Sequence, residues 1–134
     1  MQARPVAEQT RDYDWLSAHL GDTRLQLIDS REAPRYQGLE EPIDPVAGHI
    51  PGALNYPWQE TTDTDGFALP APQQQARWQD LDPDKETLVY CGSGVTACVN
   101  LLSLKLAGYD NARLYPGSWS DWCSYSDSPI ATAE

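Results

Sequence analysis

Positive charge is scarce in this chain. Nine lysines and arginines stand against twenty aspartates and glutamates in 134 residues, a net charge of −11 at neutral pH. Such a field repels nucleic acid and anionic membrane surfaces, so neither is expected as a partner. Cysteine is sparse too: Cys91, Cys98 and Cys123 are an odd set with no paired CxxC spacing. That argues against a disulfide framework and a metal site, and it fits a reducing, cytoplasmic setting. No apolar run approaches membrane-spanning length, and Met1-Gln2-Ala3-Arg4-Pro5 lacks the apolar centre of a signal peptide. A soluble protein is expected.

What is present suffices for one domain with a real core and is too little for two ordinary ones. The acids gather at Glu40-Glu41-Asp44, Glu60-Asp63-Asp65 and Asp80-Asp82-Asp84-Glu86, and read as solvated loops. Residues 1–11 are polar and aperiodic and read as an extension or linker. Asp12 is placed to cap a helix reaching Leu20. Leu25-Gln26-Leu27-Ile28 reads as a strand ending at Asp29, followed by a short helix over Glu32–Tyr36 and a long loop to Gly48. Leu54-Asn55-Tyr56 is a second strand, and a polar stretch to Phe67 follows. Pro70–Leu81 reads as a helix with Ala76, Trp78 and Leu81 inward, Thr87–Tyr90 as a strand, and Thr96–Leu106 as a helix. Arg113-Leu114-Tyr115 is a last strand before a helical Trp119–Tyr125, and residues 126–134 read as a frayed tail. Strands alternating with helices predict an α/β domain over residues 12–125. Its sheet is mainly parallel and doubly wound, with helices on both faces. Ligands of such sheets sit at the carboxyl ends of strands, where Asp29, Cys91 and Gly117 converge.

Cys91 opens the segment Cys91-Gly92-Ser93-Gly94-Val95-Thr96, between the apolar run Leu88-Val89-Tyr90 and the Thr96–Leu106 helix. Glycines let the backbone curl with its N–H groups inward, and a helix N-terminus adds partial positive charge. The combination holds an anion and lowers a cysteine pKa, which makes Cys91 a nucleophile. The local potential must then overcome the repulsive field of the whole chain.

Four segments occur in order: Leu27-Ile28-Asp29-Ser30-Arg31, Gly48-His49-Ile50-Pro51-Gly52-Ala53, the Cys91 loop through Ala97, and Tyr115-Pro116-Gly117-Ser118-Trp119. Together they resemble a rhodanese domain. The loop is similar to the CG(S/T)GVT loop of 3-mercaptopyruvate sulfurtransferases. Thiosulfate sulfurtransferases of the CRKGVT type carry Arg and Lys where this chain has Gly92 and Ser93. The resemblance implies a sulfurtransferase. Cys91 takes the outer sulfur of thiosulfate or 3-mercaptopyruvate as a persulfide, then yields it to cyanide or a thiol, with no cofactor. It also implies a carboxylate grip by two arginines. Arg35-Tyr36 matches the first, but the segment of the second reads Glu41-Pro42-Ile43-Asp44-Pro45. Asp121 stands before Trp122 where the family usually has Glu. Enzymes with this loop commonly have two such domains with the active cysteine in the second. In the mercaptopyruvate enzymes a His and an Asp of the first domain work with the loop serine, here Ser93. The chain therefore reads as an excised half or a single-domain protein. Its candidate partner is a first rhodanese domain or a second copy, and Trp58, Trp78, Trp119 and Trp122 would partly line the interface.

Each site residue has a plainer reading beside it. Cys98 and Cys123 read as packing residues, with a resolving disulfide to Cys91 as the alternative. Ser93 either donates to the departing group or is a small residue the loop tolerates. Thr96 reads as the helix cap, and Gly92 and Gly94 as backbone devices, with Val95 between. Arg35 is a substrate clamp or a partner of Glu32. Arg31 reads as a structural partner of loop carbonyls, and His49 as a histidine pinning a turn rather than a base. Asp29 tunes the site or bonds adjacent backbone. Trp119 is core and a candidate pocket wall, and His19 reads as packing. Among rival functions, a Cys-dependent phosphatase or arsenate reductase needs a C-x5-R loop, and position 97 is alanine. A non-catalytic binding module of the same fold commonly lacks the cysteine.

Overall fold

A computed structural model describes residues 10–92 and 96–132. In chain order the elements are α1 (Tyr13–His19), β1 (Leu25–Asp29), α2 (Ala33–Tyr36), β2 (Leu54–Asn55), a 3-10 turn (Trp58–Thr61), α3 (Ala71–Arg77), β3 (Glu86–Tyr90), α4 (Ala97–Leu106), β4 (Ala112–Leu114) and α5 (Ser118–Trp122). The strands form one all-parallel sheet in the order β2-β1-β3-β4. The expected α/β class and parallel sheet are borne out. The chain leaves β1 to one side, forms β2, and returns to the other side for β3. The topological switch point, where doubly wound sheets place their ligand crevice, therefore lies between the carboxyl ends of β1 and β3.

Strand residues alternate between two cores, as a sheet covered on both faces requires. Leu27, Leu88 and Tyr90 face Leu16 of α1, Tyr36 of α2, and Trp119 and Trp122 of α5. Ile28, Val89 and Cys91 face Trp78, Leu81 and, on α4, Ala97 and Leu104. The Asp12 carboxylate accepts the Trp15 N–H at 2.9 Å, which starts α1.

Several boundaries differ from the sequence reading. The helix expected over Pro70–Leu81 closes at Arg77, and Ala76 is exposed. Gln74 takes the inward place instead. Its amide nitrogen donates to the carbonyls of Thr61 and Leu69, and its oxygen accepts the Ser103 hydroxyl at 2.5 Å. That hydroxyl also accepts the Trp78 indole N–H at 2.8 Å. A buried amide is tolerable because each of these groups is paired. The stretch read only as polar contains the 3-10 turn, closed by the Thr61 hydroxyl on the Trp58 carbonyl.

The described residues nearest each end, Arg11 and Pro129 to Ala131, are tied to the fold. Arg11 donates its backbone N–H to Leu114 and pairs with Glu86, fastening residues read as linker to the sheet edge. At the other end, the Trp122 indole donates to the Pro129 carbonyl, and Ala131 exchanges backbone hydrogen bonds with His49. The described part of the tail is therefore anchored at Pro129 and Ala131, although most of its residues are exposed. Of the four tryptophans expected to line an interface, Trp58 is half-buried and the other three are placed differently. Trp78, Trp119 and Trp122 are fully buried, and the large exposed apolar groups are instead led by Ile43, Leu39, Phe67 and Leu102.

Candidate active site

Cys91 follows the last residue of β3, where the run Leu88-Val89-Tyr90 delivers it to the crevice. It is only 1% exposed. The start of α5 pins the backbone around it. The Ser118 Oγ accepts the Cys91 N–H at 3.1 Å, the Cys91 carbonyl accepts the Trp119 N–H at 2.9 Å, and the Gly92 carbonyl accepts the Ser120 N–H at 2.9 Å. Ser118 has a left-handed backbone, φ 57°, a conformation costing a non-glycine residue about 1–2 kcal/mol. Its hydroxyl also donates to the Tyr115 carbonyl at 2.9 Å, so the side chain ties β4, α5 and Cys91 together. Gly117 beside it is required by space, because a Cβ there would collide with the Asp121 side chain. The sequence places Ser118 in a motif without pointing to a role for it. Its signal, a serine directly after Pro-Gly at a strand end, is weak without the tertiary partner.

Ser93, Gly94 and Val95 lie outside the described residues. Thr96 occupies the N-cap position of α4 but makes no side-chain capping bond, and its backbone is already helical. The capping role read from the sequence is therefore replaced. Asn100, one turn on, fixes the helix: its amide nitrogen donates to Ser30 Oγ and the Tyr56 carbonyl, both at 2.8 Å. The Asn100 Oδ1 accepts Arg77 Nη1 at 2.9 Å. Arg77 stacks on Trp78, and burial lowers its pKa to about 10 despite the opposing pull of Glu60 and Tyr56. Neither Asn100 nor Arg77 stood out in the sequence.

On the β1 side an ion-pair chain runs toward the loop. Asp29 accepts the Arg31 backbone N–H at 2.9 Å and its Nη2 at 2.7 Å. Arg31 Nη2 also donates to the Gly48 carbonyl at 2.6 Å, Nη1 reaches Glu41 at 3.3 Å, and the guanidinium lies over the Trp119 ring. Glu41 joins Arg31 to Arg35, whose Nη2 it accepts at 3.0 Å. Arg35 is thus paired with Glu41, with Asp44 further off at 3.9 Å. Glu32, the partner suggested by proximity in sequence, instead accepts the Gln59 amide. The Arg35 guanidinium presses on the loop: a Cβ on Gly92 would sit 3.2 Å from Nη2. Burial pushes the Glu41 carboxyl up, but the N–H groups of Asp44 and Ile43 and the Arg35 guanidinium outweigh it and hold it below the usual range.

His49 stands apart from this chain. Its Nδ1 meets the Tyr36 carbonyl at 2.7 Å and its ring stacks on Tyr36. The Trp119 indole donates to the Val46 carbonyl at 2.9 Å, fixing the long loop over α5. His19 lies against Trp15 on α1, far along the chain from these groups. Cys98 is exposed and Cys123 half-buried, and none of the three cysteines is in a disulfide. Asp29, Gly92, Arg35 and Trp119 therefore meet at one end of the sheet with Cys91.

The chain is similar to several known proteins. A Pseudomonas aeruginosa protein named "Probable 3-mercaptopyruvate sulfurtransferase" is 46% identical over 99% of this chain and 48% of its own length. The 3-mercaptopyruvate sulfurtransferase of Escherichia coli K12 is 39% identical over 86% of this chain and 41% of its own. The crystal structure of the Tum1 protein from Saccharomyces cerevisiae superposes with a TM-score of 0.82 at 29% identity. It covers 96% of this chain and 48% of that one. The chain spans about half the length of the curated relatives it matches. The rhodanese-like domain pattern matches residues 12–125, so the strand-delivered cysteine, the carboxyl-end crevice and the parallel sheet belong to a member of the rhodanese-like domain family.

Proposed function

We propose that residues 12–125 form a catalytic rhodanese domain that moves a sulfane sulfur from thiosulfate or 3-mercaptopyruvate to cyanide or a thiol. The observation that carries this reading is the Cys91 backbone. Both of its polar groups are held by α5 at the carboxyl end of β3, with the Arg35 guanidinium against Gly92. The sulfurtransferase names of the relatives support it.

The chemistry is a pair of displacements at sulfur. The Cys91 thiolate attacks the outer sulfur of thiosulfate, the S–S bond breaks, and sulfite departs with the electron pair. With 3-mercaptopyruvate a C–S bond breaks instead and the enolate of pyruvate takes up a proton. Cyanide carbon, or a thiolate, then attacks the terminal sulfur of the Cys91 persulfide and the thiolate returns. The persulfide is anionic, and the N–H groups of Gly92, Ser93, Gly94, Val95 and Thr96 are the donors assigned to it. Arg35 contacts the donor anion, while Asp29, His49 and Trp119 have supporting roles. No metal or organic cofactor enters either step.

A first rhodanese domain or a second copy of the chain is the proposed partner, and the exposed Leu39 and Ile43 beside Arg35 give it apolar surface. A reducing, cytoplasmic location accords with three cysteines outside any disulfide. Mass spectrometry after incubation with each donor tests the function. One added sulfur on Cys91, removed by cyanide and absent in Cys91→Ala, is the expected result. No adduct from either donor would favour a non-catalytic binding module.

A further inference from the structure

The network beside the Cys91 loop is net negative. Asp29, Glu41 and Asp44 bring three carboxylates, and Arg31 and Arg35 bring two guanidinium groups. The loop residues Ser93-Gly94-Val95 add no charge. Glu41 is the hub, with its side chain 5% exposed. One of its oxygens accepts Arg31 Nη1, and the other accepts Arg35 Nη2 and the N–H groups of Ile43 and Asp44. Asp44 accepts the Ser120 hydroxyl with both oxygens, at 2.9 and 3.0 Å. Ser120 in turn donates its backbone N–H to the Gly92 carbonyl. The excess carboxylate is therefore tied to the same backbone that holds Cys91.

Its field reaches α5. Burial, then Asp44 and Glu41, push the Cys123 thiol up. Arg35 is held against Gly92 in a geometry suited to meeting an anion, yet its charge is offset by a carboxylate it cannot leave without baring a buried acid. An incoming anion meets one guanidinium already engaged and two carboxylates behind it.

We infer that Glu41, acting through Arg35, is a specificity-determining positioning residue that lowers the affinity of the Cys91 site for small anions, the sulfur donors among them. The link to sulfur donors rests on the proposed sulfurtransferase function. The charge effect on Cys91 does not.

Alkylation of Cys91 by iodoacetate, an anion, and iodoacetamide, its neutral counterpart, separates the two. Both report the same thiolate, so their rate ratio, followed on the Cys91 peptide, reads only the local charge. Glu41→Gln keeps an oxygen for the arginines and removes the charge. It should raise the iodoacetate-to-iodoacetamide ratio about three- to fivefold, the range of a partly solvated charge pair. KM for thiosulfate and 3-mercaptopyruvate should fall by a similar factor with kcat little changed. Asp44→Asn, which breaks no close ion pair, should act in the same direction more weakly and decides the matter if Glu41→Gln melts early. A ratio and KM unmoved or reversed in folded variants overturn the role of Glu41. If the ratio rises but wild-type protein takes sulfur from neither donor, the charge effect stands and the sulfur-transfer reading falls.

Discussion

The Ser118 hydroxyl accepts the backbone N–H of Cys91 at 3.1 Å while the Ser118 backbone itself sits at φ 57°. A strained residue thus secures the amide of the candidate nucleophile. Both groups are buried, so neither can turn to water. The strain is sustained because the side chain also donates to Tyr115 and because Trp119 and Ser120, next in line, hold the carbonyls of Cys91 and Gly92.

Replacement at 118 should separate strain from hydrogen bonding. Ser118→Ala leaves the Cys91 N–H unsatisfied, at a cost of about 1–3 kcal/mol, and keeps the backbone strain. Ser118→Gly loses the same bond but relaxes the left-handed conformation, recovering about 1 kcal/mol. Urea denaturation should rank wild type above Gly above Ala. An alanine variant as stable as the glycine one would show that the strain is not real.

Acid should weaken the Glu41 hub. Its carboxyl is held below the ordinary glutamate value when folded, so the folded state gains stability from it above the unfolded pKa. That gain disappears as pH falls through the folded value. Thermal unfolding from pH 7 downward should show wild type more stable than Glu41→Gln at neutral pH. The gap should close in acid. A gap independent of pH contradicts the assignment.

Ser103 is the hinge of a buried polar trio. Ser103→Ala strands the Trp78 indole N–H and the Gln74 oxygen, at about 1–3 kcal/mol for each group left unpaired. The loss should appear in denaturant midpoints while sulfur loading of Cys91 persists. A loss below about 0.5 kcal/mol would mean the neighbours re-pair.

Arg35 and Gly92 should act as one unit. Arg35→Ala removes a charge-assisted contact of about 1.5–3 kcal/mol and bares Glu41, so donor KM should rise at least about tenfold. Gly92→Ala crowds the guanidinium, and KM should rise less, with the fold kept. Steady-state kinetics with both donors checks this. An unchanged KM in Arg35→Ala removes it from the site.

Cys98 and Cys123 should be dispensable. Cys98→Ser and Cys123→Ser are expected to load sulfur on Cys91 at wild-type rate, because Cys98 is exposed on α4 and Cys123 is the C-cap of α5, at the opposite end of that helix from the residues that hold Cys91. A longer-lived Cys91 persulfide in either variant would indicate a resolving thiol, since that thiol consumes the persulfide by forming a disulfide and releasing hydrosulfide.

The order of elements was legible from local signals: a capped helix at Asp12, the apolar run before Cys91, the glycine after Pro116. Each depends on neighbours a few residues away, and that is where sequence patterns are reliable. Element ends were less legible. Gln74 entered the core and Ala76 did not, because Ser103 and Thr61, remote in sequence, supply partners for an amide. Polarity alone points the other way. The tail read as frayed for the same reason: its anchors, His49 and Trp122, belong to other parts of the fold.

By itself the sequence determined the α/β class, the family and the cysteine placed at a strand end, since these follow from short-range periodicity and contiguous motifs. Only the tertiary structure decided the charge of the site. Arg35 looked like a cation awaiting an anion, and the Glu41-to-Asp44 stretch looked like a solvated acidic loop. Folding brings Asp29, Arg31, Arg35, Glu41 and Asp44 together at one end of the sheet. Electrostatic balance depends on distance and burial rather than on the count of charges along a chain.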